Sequence, residues 1–358
     1  MSGVLTIDVG AGTMDVLYFD VRRSEHFKAV ARSPVASLAE RIEASPGNLL
    51  ILGAEMGGGP LSRALRKRAR AGDVAISLSA SRTVHHDPER VRSAGIRVLE
   101  DEAAEALAGE GSCSVIELGD LPIERLRQIV AGFGVPFAFD AIGICAQDHG
   151  VPAGGDSQLE HRHLHLRTIL DATPFPHAFL HRAEEVPPEM TRLRSIARSA
   201  RSLPADEVYV MDSGMAAILG ASLDPRVQER RNALVLDIAT SHTIGAALQG
   251  DELIGFFEYH TEDITCERLE ALLVDLANGE LSHARVVSEG GHGAHTRRWF
   301  GFENAEIILA TGPRRALIAP SRLPIALGAP LGDNMMTGAA GVLEAIRRKK
   351  GLARLPSF

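Results

Sequence analysis

The chain is short of several things, and each shortage excludes something. Aromatic residues make up only 4% of its 358 residues, with a single Trp. That is too few rings for the stacking platform that single-stranded nucleic acid requires. Cysteine occurs three times, at Cys113, Cys145 and Cys266. Positions so far apart suggest no disulfide framework, nor the clustered thiolates that hold an iron–sulfur cluster. No run approaches the roughly 18–20 apolar residues needed to span a bilayer. Basic residues are outnumbered, 38 against 46 acidic, for a formal net charge of −8. That balance argues against broad electrostatic binding to nucleic acid or anionic membrane, and neither is expected as a partner. Met1-Ser2-Gly3-Val4 enters an apolar run at once and leaves no room for a signal peptide, so the cytoplasm is the expected location.

What is present is an ordinary globular balance, 45% hydrophobic and 23% charged, with length enough for two domains. The first informative segment is Asp8-Val-Gly-Ala-Gly-Thr-Met-Asp15, set between the apolar runs Val4–Ile7 and Val16–Phe19. It reads as strand, tight turn, strand. Gly10 and Gly12 let a backbone approach a ligand closely, and successive N–H groups in such a turn form an anion-binding concavity. Thr13 adds a hydroxyl. Asp8 and Asp15 add carboxylates suited to a hydrated magnesium ion. Hairpins also use Asp and Gly for steric reasons alone.

A second segment repeats the order. The buried-strand run Ala233–Leu236 leads into Asp237-Ile-Ala-Thr-Ser-His-Thr243 and then the apolar run Ile244–Leu248. A third, Ile307–Ala310, ends at Thr311-Gly312-Pro313. The closing stretch Gly332–Ile346 is rich in small residues, as a helix packed closely on a sheet would be.

The two Asp-containing turns resemble the phosphate-1 and phosphate-2 motifs of the actin-like ATPase superfamily, which includes sugar kinases, Hsp70 and actin. The resemblance implies an α/β chain with two actin-like (ribonuclease H-like) domains facing a nucleotide cleft. ATP would be held with magnesium, the metal through Asp8 and Asp237. Gly10, Gly12, Thr13, Thr240 and Thr243 would cradle the phosphates, and Gly312 would mark the adenosine turn. Ala239 stands where the superfamily usually has glycine. Gly-Gly-Gly-Pro at 57–60, Gln-Asp-His-Gly at 147–150, Asp-Ser-Gly at 212–214, Glu-Tyr-His-Thr at 258–261 and Gly-Gly-His-Gly at 290–293 further resemble a little-characterised prokaryotic family within it. Members of that family are sometimes labelled as related to the pyruvate formate-lyase activating enzyme. The three scattered cysteines argue against radical iron–sulfur chemistry here.

Domain 1 is expected over 1–225, with an irregular, histidine-rich insertion or lid around 151–205, and domain 2 over 226–358. Phe139–Ala146 reads as a strand, and Asp148 follows its carboxyl end, where ligands collect in open α/β sheets. Phosphoryl transfer needs a carboxylate to orient an acceptor hydroxyl or a water. Asp148 is the first candidate, with a turn-capping role as its alternative; Asp15 and Asp212 follow. The acceptor itself, a small molecule or a protein, is not legible.

Fourteen histidines open other readings. His149, His242, His260, His292 and His295 each fall at a strand end or glycine loop, and imidazole is both a metal ligand and an acid–base group near neutral pH. No His-Glu-x-x-His or cysteine-containing zinc pattern occurs. The expectation is a magnesium-ATP kinase or ATPase. The alternatives are a non-catalytic nucleotide- or ligand-binding regulator on the same fold, and a histidine-metal hydrolase that needs no nucleotide.

Overall fold

The computed structural model describes residues 3–152 and 157–353. Part of the glycine-rich stretch before Ser157 therefore lies outside the described residues. The chain opens with three antiparallel strands, β1 (Gly3–Val9), β2 (Thr13–Asp20) and β3 (Glu25–Arg32). Next come four short strands, β4 (Leu49–Gly53), β5 (Val74–Ser77), β6 (Arg97–Leu99) and β7 (Ser114–Leu118). The chain then returns to the first sheet with β8 (Phe139–Ala146), β9 (Leu180–Arg182) and β10 (Ala205–Asp212). The first sheet has the order β3-β2-β1-β8-β10-β9, with β8 parallel to both β1 and β10.

The later strands are β11 (Asn232–Ile238), β12 (His242–Gln249), β13 (Glu252–His260), β14 (Gly293–Thr296), β15 (Ile307–Thr311) and β16 (Ile325–Leu327). They form a second sheet of order β14-β13-β12-β11-β15-β16. Its plan repeats the first: an antiparallel meander whose first strand, β11, pairs in parallel with the strand that follows the meander, β15. Two sheets of this order, each entered through an Asp-containing hairpin, are the actin-like arrangement. β1 and β11 are buried along almost their whole length. They read as continuous apolar runs because helices cover both faces of a central strand.

β4–β7 make a separate all-parallel sheet of order β6-β5-β4-β7, with its own core around Leu49, Ile51, Leu61 and Ile76. The sequence carried these strands but gave no sign that they leave the first sheet, because strand–helix alternation looks the same in either. The segment around 151–205, expected as irregular, holds the helices Gln158–Ala172 and Thr191–Ala200. Its helical stripe escaped notice because the buried positions of the longer helix are Arg162, Leu166 and Leu170, and the stripe begins with a charge. Helical geometry places His161 and His165 on one face. His163 points elsewhere, its ring stacked on His283.

The last helix, Thr337–Lys349, belongs by sequence to the second half but packs on the first sheet and on the helix Ser213–Ala221. Its glycines allow this. A Cβ on Gly341 would lie 1.8 Å from the Ala216 carbonyl oxygen, and one on Gly220 1.8 Å from that of Thr337. The two helix backbones are in contact, which only a residue without a side chain permits. The Thr6 hydroxyl donates to the Ala339 carbonyl, 2.9 Å away, satisfying the one buried hydroxyl of β1.

Candidate functional site

The two hairpins superpose position by position. In the first, the Gly10 amide donates to the Thr13 carbonyl at 3.0 Å; in the second, Ala239 donates to His242 at 3.0 Å. Asp8 pairs across its hairpin with Asp15, and Asp237 with Ile244. Asp8 therefore matches Asp237, Gly10 matches Ala239, Ala11 matches Thr240, and Thr13 matches His242. The central parallel strands match as well. The Cys145 thiol bonds the Asp8 carboxylate, as the Thr311 hydroxyl does Asp237, at 3.0 Å.

The turns face each other. A Cβ on Gly12 would come within 2.9 Å of the Thr240 side chain. Gly338, at the start of the last helix, brings that backbone against Asp8: a Cβ there would be 2.1 Å from Oδ2. Gly312 has φ +90°, and its Cβ would meet the Ile238 backbone oxygen at 2.5 Å. Ser33 closes the first hairpin from outside, its hydroxyl donating to the Gly10 carbonyl at 2.6 Å.

The acids gathered here are held away from their ordinary state. Burial pushes Asp8 up to about 6 and Asp237 up to about 7. Asp15 is pushed up to about 8, by burial and then by the charges of Asp8, Asp333 and Asp237. Its Oδ1 is buried without a hydrogen-bond partner, an arrangement that costs about 1–3 kcal/mol when nothing answers it. Like charges collected in a poorly hydrated place disfavour ionisation, and a cation reverses that. The donor set of hard carboxylate oxygens fits a divalent ion such as magnesium.

Three expected site residues are engaged elsewhere. Both oxygens of Asp148 accept backbone amides, Oδ1 from Gly150 at 2.8 Å and Oδ2 from Leu193 at 2.9 Å, so its carboxylate anchors a turn and a helix start, the capping role open to it in sequence. Asp212 caps the helix Ser213–Ala221 through the Met215 amide at 3.1 Å, and its other oxygen pairs with Arg162 at 2.5 Å. Thr243 matches Met14 in the first hairpin and is fully buried. Its hydroxyl is spent on that of Thr261, 2.9 Å away. Of the three candidate catalytic carboxylates, Asp15 alone keeps an oxygen without a partner among the described residues.

The sequence reading passed over Arg162. It is buried and binds Asp212 of the first sheet, Glu258 of the second at 3.3 Å, and the Asp148 carbonyl at 2.9 Å. It thus joins the two halves just beside the cleft. Arg192, also unanticipated, holds Asp120 with two bonds of 2.8–2.9 Å and the Gln147 carbonyl at 2.7 Å, fixing the loop after β8. Neither was legible, because their carboxylate partners lie 50 and 96 residues away for Arg162 and 72 for Arg192. Nearby, burial pushes Glu55 up to about 7.

The histidines of the strand ends converge more than their spacing suggested. His242 and His260 are register partners across β12 and β13. With His292 they form a group whose ligand nitrogens lie within 4.8 Å of one another. His149 approaches from the first half, its ring centroid 5.7 Å from that of His292. Burial pulls His149 and His242 down to about 3, so both imidazoles are neutral at physiological pH.

The cysteines do not converge: Cys113 precedes β7, Cys145 ends β8, and Cys266 begins a helix over the second sheet. Among the described residues, no group suited to a metal contains one. Among the described residues, no helix is long and apolar enough to cross a membrane.

No curated protein matches the chain. Among solved structures it is similar to the inorganic polyphosphate/ATP-glucomannokinase of Arthrobacter sp. strain KM, at 12% identity over 97% of this chain and 100% of that one, TM-score 0.38. It is similar also to a protein of actin-like ATPase fold and unknown function from Bacteroides thetaiotaomicron, at 7% identity over 96% and 95%, TM-score 0.39. A third is the activator of 2-hydroxyisocaproyl-CoA dehydratase from Clostridium difficile with bound ADPNP, at 8% identity over 99% of each chain, TM-score 0.35. Residues 56–317 match the family described as "Putative pyruvate format-lyase activating enzyme (DUF1786)", and the chain belongs to that family.

Proposed function

We propose that the protein is a magnesium-dependent, ATP-binding phosphotransferase or ATPase acting on a small molecule or a protein partner. The observation that carries this is the pair of register-matched Asp hairpins meeting at Gly12 and Thr240. Asp8 and Asp237 would hold the ion, which when bound supplies charge neutralisation for a transferring phosphoryl group. The backbone of Gly10, Gly12 and Ala239 and the hydroxyls of Thr13 and Thr240 would cradle phosphate oxygens, and the Gly312 turn would take the nucleoside side. Thr243 supports the second hairpin from inside. Asp15 would accept a proton from an acceptor hydroxyl or a water once the charge of the bound ion lowers its titration from about 8. Asp148 and Asp212 position the loop and helix around it.

A second reading rests on Ala239 in place of the glycine equivalent to Gly10. It takes the protein as a ligand-binding regulator with no turnover.

Calorimetric titration of magnesium-ATP into wild type and Asp8→Asn tests the site. Saturable, magnesium-dependent binding, weakened at least tenfold in the variant, is expected. A folded wild-type protein that binds no nucleotide would overturn the first reading and leave the second only with a ligand that is not a nucleotide. Binding without hydrolysis or transfer to any metabolite or partner would favour the second. Within the first, a kinase speeds up with one metabolite and an activator-type ATPase with a protein.

A further inference from the structure

We propose that His242, His260 and His292, with His149 closing the site from the first half of the chain, bind a divalent first-row transition metal of the zinc class. The site is separate from the carboxylate site and needs no nucleotide.

The geometry makes the case. His242 opens β12 and His260 closes β13, directly opposite in register. His292 is tied to the same strand by its amide, which donates to the Glu258 carbonyl at 2.8 Å. Ring centroids of the three lie 4.3–4.8 Å apart. A tetrahedral zinc with bonds of about 2 Å holds its ligand nitrogens roughly 3.3 Å apart. Closing from the observed limit of 4.8 Å asks for side-chain rotation alone. The orphaned atoms point the same way. His242 Nε2, His292 Nδ1 and His149 Nδ1 are buried with no hydrogen-bond partner. Two of these nitrogens belong to histidines of the close group and the third to the ring that approaches it from the first half, and a bound cation would answer them.

The surroundings suit the role. His242 Nδ1 bonds the Ser241 hydroxyl at 2.9 Å, which fixes the ring and leaves Nε2 for the metal, the usual outer support of a ligating histidine. Glu258 Oε1 lies 3.9 Å from His292 Nδ1 but accepts from the Gln147 side-chain amide, and Oε2 accepts from Arg162. The donor set is therefore imidazole, which selects zinc, copper, iron or nickel over magnesium or calcium. Three histidines from one half, with the fourth position met by His149 from the other, give a set without the cysteines that close most structural zinc sites. The position is informative too: His242 is the second hairpin's equivalent of Thr13, so the metal would sit at the mouth of the phosphate turn.

The test uses untagged, full-length protein. It is stripped with chelator, titrated with Co²⁺ followed by visible ligand-field bands, then loaded with Zn²⁺ and read by elemental analysis and X-ray absorption. One equivalent of metal with nitrogen neighbours and no sulfur is expected. His260→Ala and His292→Ala should each weaken binding at least a hundredfold, and His149→Ala about tenfold. His163→Ala, in the separate His163–His283–His295 group, should leave it unchanged. Circular dichroism confirms that each variant folds. The wild-type stoichiometry and absorption spectrum stand whether or not one of them does. No stoichiometric binding at micromolar metal, sulfur in the coordination shell, or loss in His163→Ala with retention in His260→Ala would each overturn the proposal.

Discussion

Asp15 shows how a single side chain sets a condition on the whole protein. Its carboxyl titrates near 8 in the folded chain against about 3.9 when unfolded, and Asp237 titrates near 7. Between about pH 7.5 and 9 the unfolded carboxylates are already ionised, while the folded Asp15 still loses its proton. The folded state binds more protons in that window, so stability falls as pH rises. The histidines that burial pulls down, His149 and His242 furthest, work in the opposite sense only at about pH 6.5, where the unfolded imidazole titrates, and are neutral in both states across this window. Thermal unfolding without divalent ions should give a lower Tm at about pH 9 than at about pH 7.5. Asp15→Asn should flatten that dependence, and magnesium should raise Tm more at the higher pH. A wild-type Tm that rises across the window would contradict the description of the acidic group. Asp15 was visible in sequence as part of an Asp-x-Gly turn. Its unpartnered oxygen was not, because the charges that press on it come from residues 237 and 333.

Elements were legible where their signal is local. Both hairpins, the strand Phe139–Ala146 and the small-residue final helix follow from spacing within a dozen residues. Their partners do not. That the final helix lies against Ser213–Ala221 rests on contacts at Gly220 and Gly341, 121 positions apart, and no local pattern encodes the pairing. Overfilling a packed contact costs typically about 1–3 kcal/mol and more where backbone is struck. Gly341→Ala should therefore lower stability by about 3 kcal/mol, read by denaturant unfolding, whereas Gly109→Ala, with open space around it, should change it by less than about 0.5 kcal/mol. Equal effects would remove the backbone contact as the reason for these glycines.

At the scale of the molecule, Arg162 is the connection that counts. It is 3% exposed and carries the charge balance for Asp212 on one sheet and Glu258 on the other. Breaking a buried pair costs about 3–5 kcal/mol because a charge is stranded, and here two carboxylates would be. Arg162→Met should cost at least that and loosen one half against the other. Hydrogen exchange of β12 and β13 should accelerate more than that of β4 and β5, which belong to the inserted sheet. Uniform acceleration would mean that Arg162 serves overall stability and not the junction. The sequence offered the duplication of domains through its two Asp turns, yet hid this junction, since an arginine on a histidine-rich helix looks like solvated surface until both acids are placed.

The last helix has a consequence for how the chain is made. β1 leaves the ribosome well before the Ala339 carbonyl that satisfies Thr6, which is 333 residues behind it. At synthesis rates of about 5–20 residues per second, the gap is roughly 15–60 s. For that time the nascent chain carries an apolar face with no cover, an invitation to chaperones and proteases alike. The first sheet becomes resistant to protease only as the helix Thr337–Lys349 emerges, so its protection during translation should arrive late and all at once.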